Sequence, residues 1–192
     1  MKKGKRAFVR AVRCLAAALA AAMLSVLLGG CNIITLVRYW GSDSEQMLES
    51  ELGDYRLTMN RGWSDMAGEL GEGAVLEAAD PIREKYVMIF AYSREDFEAD
   101  VTLTDFADWV AEGLMENLSD PVLSREPDAD VLGGSAPSCQ VIGGVDGLNI
   151  TYWVTCAATD DEYFQIVGWT LKSKAEDNKE DIQQVMHSLQ VG

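Results

Sequence analysis

Basic residues and histidine are scarce in this chain. Of its 192 residues, 16 are Lys or Arg, 31 are Asp or Glu, and one, His187, is a histidine. A single histidine excludes histidine-rich metal sites and leaves one candidate for a catalytic imidazole. His187 lies beside the apolar stripe of a predicted C-terminal helix, so we expect an exposed side chain without a catalytic role, because a catalytic base must be held in a pocket.

Motifs typical of enzymes are also missing. The sequence has no Gly-Xaa-Ser-Xaa-Gly elbow, no phosphate-binding glycine-rich loop and no His-Glu-Xaa-Xaa-His zinc motif. No loop spaces its acidic residues as an EF-hand does. We therefore expect no catalytic residue, no metal ligand and no cofactor, and we predict that the protein is not an enzyme.

The few cations are concentrated at the start of the chain: Lys2, Lys3, Lys5, Arg6, Arg10 and Arg13. Without residues 1–30, the remaining 162 residues hold ten Lys and Arg against 31 Asp and Glu, a net charge of −21. Nucleic-acid binding is excluded, because contacts to phosphates need clustered cations. Strong like charge instead favours a soluble monomer.

The first 30 residues have the order of an export signal: a basic start, an apolar run over Leu15–Leu28 and the small pair Gly29-Gly30. With the next residue, Leu28-Gly29-Gly30-Cys31 resembles the lipobox of bacterial lipoproteins. The resemblance implies that residues 1–30 are a signal peptide and that Cys31 carries a diacylglycerol and acyl chains such as palmitate. It also implies a lipid-anchored position on the extracytoplasmic face of the cell membrane, since two or more acyl chains anchor firmly.

The alternative is an uncleaved membrane helix over Cys14–Val37, which approaches the roughly 20 apolar residues that span a bilayer. Asn32 and Thr35 disfavour that helix, and either outcome leaves the rest of the chain outside the cytoplasm. We interpret residues 31–50 as a lipidated tether. The pair Tyr39-Trp40 suits the bilayer interface or packs on the domain.

Residues 51–192 have the size of one domain. Alternating apolar residues predict a half-buried strand over Tyr55–Met59. Lys85–Tyr92 and Tyr163–Leu171 are apolar on both faces, so both faces of these strands must be covered. Further strands are predicted at 74–79, 139–143 and 148–156.

Two amphipathic helices are predicted to supply the cover. Thr104 is expected to cap the first helix, whose apolar stripe runs from Phe106 to Leu118 before Asp120-Pro121 ends it. The second begins near Ser173 or Glu176 and continues to the end of the apolar spacing at Leu189. The predicted fold class is therefore α+β, an antiparallel sheet covered by helices on both faces.

Asp146-Gly147 predicts a tight hairpin between two of these strands. In the resulting register Cys139 opposes Val154, and Cys156 is a diagonal neighbour on the same face. Diagonal residues lie about 7–8 Å apart, at the limit of disulfide geometry. Two alternatives remain open: a Cys139–Cys156 disulfide, which an extracytoplasmic location permits, or two buried free thiols.

The order of elements resembles the PsbP/Mog1 fold, which many small bacterial lipoproteins share. The resemblance covers roughly residues 50–190 and is carried by four features: Tyr55-Arg-Leu-Thr-Met before Gly62-Trp63, Val145-Asp146-Gly147, Tyr163-Phe-Gln-Ile-Val-Gly-Trp169-Thr and the terminal amphipathic helix. It implies an α/β/α sandwich that binds other proteins rather than catalysing a reaction. These patterns belong to the fold, so they place no family binding residue on this sequence.

We therefore predict a membrane-anchored extracytoplasmic lipoprotein whose domain is a non-catalytic interaction or accessory module of the cell envelope. Its expected partner is an envelope or surface protein. Trp63, in the turn after the first strand, is either a contact for that partner or a lid over one end of the core. The alternative function is binding of a small cationic solute or metal ion, in a concave pocket lined by acids and aromatics. A hydrolase would need a buried carboxylate pair.

Overall fold

The computed structural model describes residues 45–192. Its elements are β1 (Gln46–Glu49), β2 (Tyr55–Met59), β3 (Ser64–Asp65), β4 (Leu76–Asp80), β5 (Lys85–Ser93), α1 (Leu103–Met115), β6 (Ser119–Val131), β7 (Gly134–Val145), β8 (Leu148–Ala158), β9 (Glu162–Leu171), α2 (Ala175–Met186) and β10 (Gln190–Val191). Within this range, neither helix has the length and apolar character needed to cross a bilayer.

The strands form two antiparallel sheets. The larger has seven strands in the order β3-β4-β5-β9-β8-β7-β6, and the smaller has three in the order β1-β2-β10. Every pair of neighbouring strands in both sheets is antiparallel. The prediction of a mostly antiparallel sheet with two helices is therefore confirmed.

The central strands are apolar on both faces, as their sequences predict. In β5, Met88 belongs to one hydrophobic cluster and Ile89 to another. In β9, Val167 and Ile166 divide in the same way. Successive side chains of a strand point to opposite faces, so the sheet is buried on both sides.

Each cluster contains one helix. The first cluster includes the α1 residues Phe106, Val110 and Leu114. The second includes the α2 residues Ile182, Val185 and Met186, together with Leu48, Leu57 and Met59 of the small sheet. The small sheet and α2 thus share one hydrophobic core.

Helix α1 begins two residues earlier than its sequence pattern predicts. Thr102, not Thr104, is the N-cap: its hydroxyl accepts from the Asp105 backbone N–H, and the Asp105 carboxylate accepts from the Thr102 N–H. This reciprocal pair is a capping box. Thr104 instead lies exposed in the first turn.

The predicted hairpin is confirmed with its register. Val145 pairs with Leu148 and Cys139 pairs with Val154. The two turn residues, Asp146 and Gly147, have φ angles of 49° and 83°. Two successive positive φ angles are the requirement of the tight turn that Asp-Gly favours.

Strand β6 is an element that the sequence pattern does not predict. It forms the edge of the large sheet next to β7, and ten of its 13 residues are exposed. Its pairing with β7 shifts register between Ser119 and Val122 and again between Glu126 and Ala129. Pro121 and Pro127 lie inside these two shifts, where a residue without an N–H interrupts no regular ladder.

The folded structure also begins earlier than the predicted boundary at residue 51. Strand β1, Gln46–Glu49, lies in the stretch interpreted as tether, yet it pairs with β2 along its whole length. Leu48 is buried in the core shared with α2. A four-residue strand with one buried side chain gives too weak an alternation to be recognised from sequence.

Candidate binding cleft

An open cleft of about 520 Å³ lies beside the small sheet. One wall is residues 48–52, the end of β1 and the turn after it, and the other comes from residues 65–77 around the β3–β4 loop. Leu48 and Leu76 line it and belong to the core shared with α2. The cleft is thus built on a fixed apolar base.

Acidic residues dominate the polar part of the lining. They are Glu49, Glu51, Asp65, Glu72 and Glu77, and residues 45–192 contribute no Lys, Arg, His or aromatic residue to the lining. Glu49 pairs with Arg56 across β1 and β2, with Nε and Oε1 3.3 Å apart. The described walls of the cleft therefore carry a net negative charge.

Glu77 has a structural role in the cleft wall. Its side chain is nearly inaccessible, and its carboxylate accepts from three backbone N–H groups, those of Glu69 at 3.0 Å, Leu70 at 2.9 Å and Gly71 at 3.1 Å. Burial raises the pKa of Glu77, while these hydrogen bonds act to lower it. One carboxylate thus holds the β3–β4 loop in place.

The rim carboxylates differ from Glu77 because they are exposed. Among residues 45–192, no ion pair joins a cation to Glu51, Asp65 or Glu72. Asp65 accepts a hydrogen bond from the Ala67 N–H at 2.9 Å through one of its two carboxylate oxygens. These three carboxylates are available to an external cation.

The carboxylates are not gathered for metal coordination. Over the described part of the chain, no group of three or more His, Cys, Asp or Glu side chains is arranged to hold a metal ion. Hard cations such as Ca²⁺ need six to eight oxygen ligands at bonding distance. The described carboxylates of the cleft form no such ligand set.

The structure contradicts a partner contact at Trp63. Trp63 is fully buried, its Nε1 donates to Asp181 Oδ2 at 3.2 Å, and Lys85 Nζ lies 5.1 Å from the ring centroid. The indole packs in the core shared with α2 instead of being presented to solvent. Of the two sequence interpretations, the structure agrees with packing on the core.

A buried ionic cluster surrounds this indole, and no local sequence pattern predicts it. Lys85 Nζ lies 3.1 Å from Asp80 Oδ2 and also pairs with Asp181. Arg83 adds a second pair to Asp80 at 2.8 Å, and Asn60 donates to Asp181 at 2.7 Å. Burial alone would raise the pKa of Asp181, but the hydrogen bonds from Asn60, Lys85 and Trp63 hold it below its usual value.

Cys139 and Cys156 are free, buried thiols in the structure. The sequence leaves a disulfide and two free thiols open, and the structure has the free thiols. Burial raises the pKa of Cys139 to about 11 and raises that of Cys156 as well. The reactive thiolate is thus rare at neutral pH. Cys31, the predicted lipidation site, lies outside the described residues.

His187 is half-buried rather than exposed. Its Nε2 lies 3.3 Å from Thr155 Oγ1, which lies 3.0 Å from Ser138 Oγ. The helix ends at this residue, and the ring turns toward β8 instead of following the solvent face of α2. Burial lowers the pKa of His187, so the neutral imidazole is favoured.

No family model matches the sequence, and a search of curated proteins found no match. Solved structures do match. CyanoP, the cyanobacterial PsbP of Synechocystis sp. PCC 6803, aligns with a TM-score of 0.53 and 18% identity, covering 86% of this chain and 99% of CyanoP. The Saccharomyces cerevisiae Ran-binding protein Mog1p aligns with a TM-score of 0.55 and 13% identity, covering 78% and 96% of the two chains.

The fold is of the PsbP/Mog1 type. A protein from Bacteroides thetaiotaomicron also aligns, with a TM-score of 0.52 and 14% identity, over 79% of this chain and 49% of its own. Identities this low show the fold alone. The resemblance of residues 50–190 to the PsbP/Mog1 fold is thereby confirmed, while the lipoprotein assignment stays a prediction.

Proposed function

We propose that this chain is a membrane-anchored extracytoplasmic lipoprotein whose PsbP/Mog1-like domain is a non-catalytic protein-interaction module of the cell envelope. The leader and Cys31 support the location. The observation that carries the domain's role is the cleft, which combines an apolar base with exposed carboxylates that form no ion pair within residues 45–192. Neither CyanoP nor the Ran-binding protein Mog1p is named as an enzyme, which agrees with an accessory role for this domain.

The architecture in this proposal is an α/β/α sandwich, with α1 and α2 on opposite faces of the large sheet. The division of β5 side chains between the two clusters supports it, because Met88 packs in the cluster of α1 and Ile89 in that of α2. Helices are a small part of the domain, and the small sheet shares the α2 side.

The anchor and the cleft are close in sequence. Fourteen residues separate Cys31 from Gln46, and an extended chain of that length spans at most about 50 Å. The cleft wall begins at Leu48, just after the tether. Lipid attachment would confine the cleft to a thin layer above the membrane and raise its effective concentration toward membrane-bound partners. The acidic surface opposes adsorption to anionic lipids.

The second candidate is a receptor for a small cationic solute. The acidic lining favours it, since no cation of the described residues compensates Glu51, Asp65 or Glu72. The described part of the chain contributes no aromatic residue to this lining, which is against it, because solute pockets enclose their ligands with apolar and aromatic walls. We therefore place it second.

The lipid anchor is tested by labelling cells with an alkynyl palmitate analogue. The wild-type chain and a Cys14→Ala variant should be labelled and remain with the membrane fraction, because Cys14 lies in the leader. Cys31→Ala should lose the label. A labelled Cys31→Ala chain would exclude lipidation at this residue, and an unlabelled but membrane-bound wild type would favour the uncleaved helix.

The interaction role is tested by crosslinking in intact cells, followed by purification of the wild type and of Cys31→Ala. We expect a defined protein adduct that depends on the anchor. Recovery of the chain alone under all crosslinkers would count against a protein-interaction module and would favour solute capture.

A further inference from the structure

We propose that the cleft binds an extended segment of a partner protein in which several Lys or Arg side chains alternate with apolar ones. This inference rests on the proposed role as an interaction module and names the chemistry of the partner. The shape of the cleft, the placement of its charges and the charge of the whole domain support it.

The shape of the cleft suits a chain rather than a compact ligand. The cleft is partly open to solvent, and two stretches of chain line it, residues 48–52 and residues around the β3–β4 loop. Leu52 projects into solvent with 71% of its surface exposed, and Ala74 and Val75 are partly buried. A partner with apolar side chains would remove this apolar surface from water, whereas an ion or small polar solute would leave it exposed to solvent.

The charges of the cleft are dispersed rather than concentrated. Glu51 lies on one wall, Asp65 is the last residue of β3, and Glu72 lies within the β3–β4 loop seven positions later. In residues 45–192 no three such groups converge on a common point. Carboxylates set apart from one another match cations set apart along a chain, and such complementarity gives specificity and fast association.

The rest of the domain offers these carboxylates few competing cations. Residues 45–192 hold nine Lys and Arg against 30 Asp and Glu. Six of the nine form ion pairs with residues other than Glu51, Asp65 and Glu72: Arg56, Arg83, Lys85, Arg125, Lys174 and Lys179. The field of the domain therefore attracts basic segments and repels acidic ones.

The test uses a defined probe, a heptapeptide of alternating Lys and Leu, titrated by calorimetry into the full-length protein purified in detergent. The cleft variant is Glu51→Gln/Asp65→Asn/Glu72→Gln, in which the amide oxygen introduced at position 65 can still accept from the Ala67 N–H. The control variant is Glu98→Gln/Asp100→Asn/Glu112→Gln, which removes the same charge from exposed positions away from the cleft. Urea unfolding curves establish that both variants are folded.

We expect the wild type and the control to bind the peptide with affinities within about threefold of each other. The cleft variant should bind about tenfold more weakly at low salt, because it loses three exposed ion pairs with the peptide. Leu52→Ser should weaken binding further, and a Glu-Leu heptapeptide should not bind.

Four results would overturn the inference: no binding of the Lys-Leu peptide, equal weakening in the cleft and control variants, tighter binding of spermine, or tighter binding of Ca²⁺ alone. The experiments distinguish a failure of the proposed interaction module from a failure of the proposed peptide-binding cleft. If the cleft variant keeps the crosslinked adduct of the wild type in cells, the interaction module stands and the cleft is not its docking site. If the wild type gives no adduct, the module is in doubt while the titration still decides the chemistry of the cleft.

Discussion

Lys85 is a buried cation whose charge is compensated by two carboxylates. Its side chain is 4% exposed, that of Asp80 is 2% exposed, and Asp181 completes the group. A buried charge that loses its partner is costly, because desolvation is then no longer compensated. The ionic cluster is therefore expected to be the most sensitive polar feature of the domain.

Replacing Lys85 by Met tests this expectation. Lys85→Met keeps the volume but leaves two carboxylates without their shared cation, so we expect a loss of about 3–5 kcal/mol in the free energy of unfolding. Urea unfolding measures it. The control is Arg56→Met, which breaks a pair whose side chains are 44% and 69% exposed, and it should cost less than about 1 kcal/mol. Equal losses of unfolding free energy in Lys85→Met and Arg56→Met would show that the charges of the cluster are exposed to water.

Asp181 gives the cluster a defined pH dependence. Its pKa in the folded protein lies below the ordinary value of 3.8, so its stabilisation is present above about pH 4 and is lost as pH falls through the folded value. Asp181→Asn should be less stable by about 1–3 kcal/mol at pH 7, and the difference should narrow below about pH 4. Urea unfolding at several pH values measures this, with exposed Glu180→Gln as the control expected to show no such trend.

At the scale of elements, the start of α1 depends on one hydroxyl. Thr102→Ala removes the cap that accepts from Asp105 N–H and should cost about 0.5–2 kcal/mol. Thr104→Ala changes the same residue type just inside the helix and should cost no more than about 0.5 kcal/mol. Thermal unfolding of both variants decides between the two threonines. A larger loss of stability for Thr104→Ala than for Thr102→Ala would indicate that Thr104 is the N-cap of α1.

The packing of α2 on the sheet depends on the missing side chain of Gly168. A Cβ there would lie 2.6 Å from Met186 Sδ and would also overlap Ile182 Cγ2. Gly168→Ala should therefore push α2 away from β9 and cost about 1–3 kcal/mol. Gly134→Ala is the matched control, because its Cβ would meet nothing closer than 4.0 Å. Unfolding in urea measures both, and equal stability would show that α2 shifts freely.

The sequence predicts those elements whose burial imposes a pattern. Strands β5 and β9 are apolar on both faces because both faces are covered, and the hairpin register follows from Asp146-Gly147. Strand β6 lacks that pattern, because most of its residues face solvent and its two prolines suggest breaks. A strand with little buried surface carries no hydrophobic period to recognise.

The candidate site is less predictable than the fold. The cleft joins residues 48–52 to the β3–β4 loop, and nothing in either segment alone indicates that they meet. The burial of Trp63 is equally hidden, because an aromatic after Asn60-Arg61-Gly62 looks exposed, whereas Asp181, 118 positions later, supplies its hydrogen-bond partner. Contacts between distant segments leave no trace in local composition.

At the scale of the whole molecule, the excess of acidic residues makes stability depend on salt. Raising the salt concentration from about 0.01 M to about 0.15 M shortens the screening length from about 30 Å to about 8 Å. Weaker repulsion among the 30 acidic side chains of residues 45–192 should raise the free energy of unfolding by on the order of 1 kcal/mol. Urea unfolding in NaCl measures it.

The variant Glu98→Gln/Asp100→Asn/Glu112→Gln should show a shallower increase with salt, because it carries fewer like charges. Stability that falls as salt is added would contradict this picture. It would mean that attractive pairs such as Arg125–Asp108 outweigh the general repulsion.

The exposed edge of β6 bears on whether copies of this chain associate with one another. An unpaired strand edge normally recruits the edge of another molecule, which leads to aggregation. Here Pro121 and Pro127 lie in the register shifts, and Asp120, Asp128 and Asp130 add charge along the edge. In the proposed lipid-anchored state, molecules held side by side on a membrane would collide far more often than in dilute solution. The interrupted, charged edge would oppose strand pairing between them.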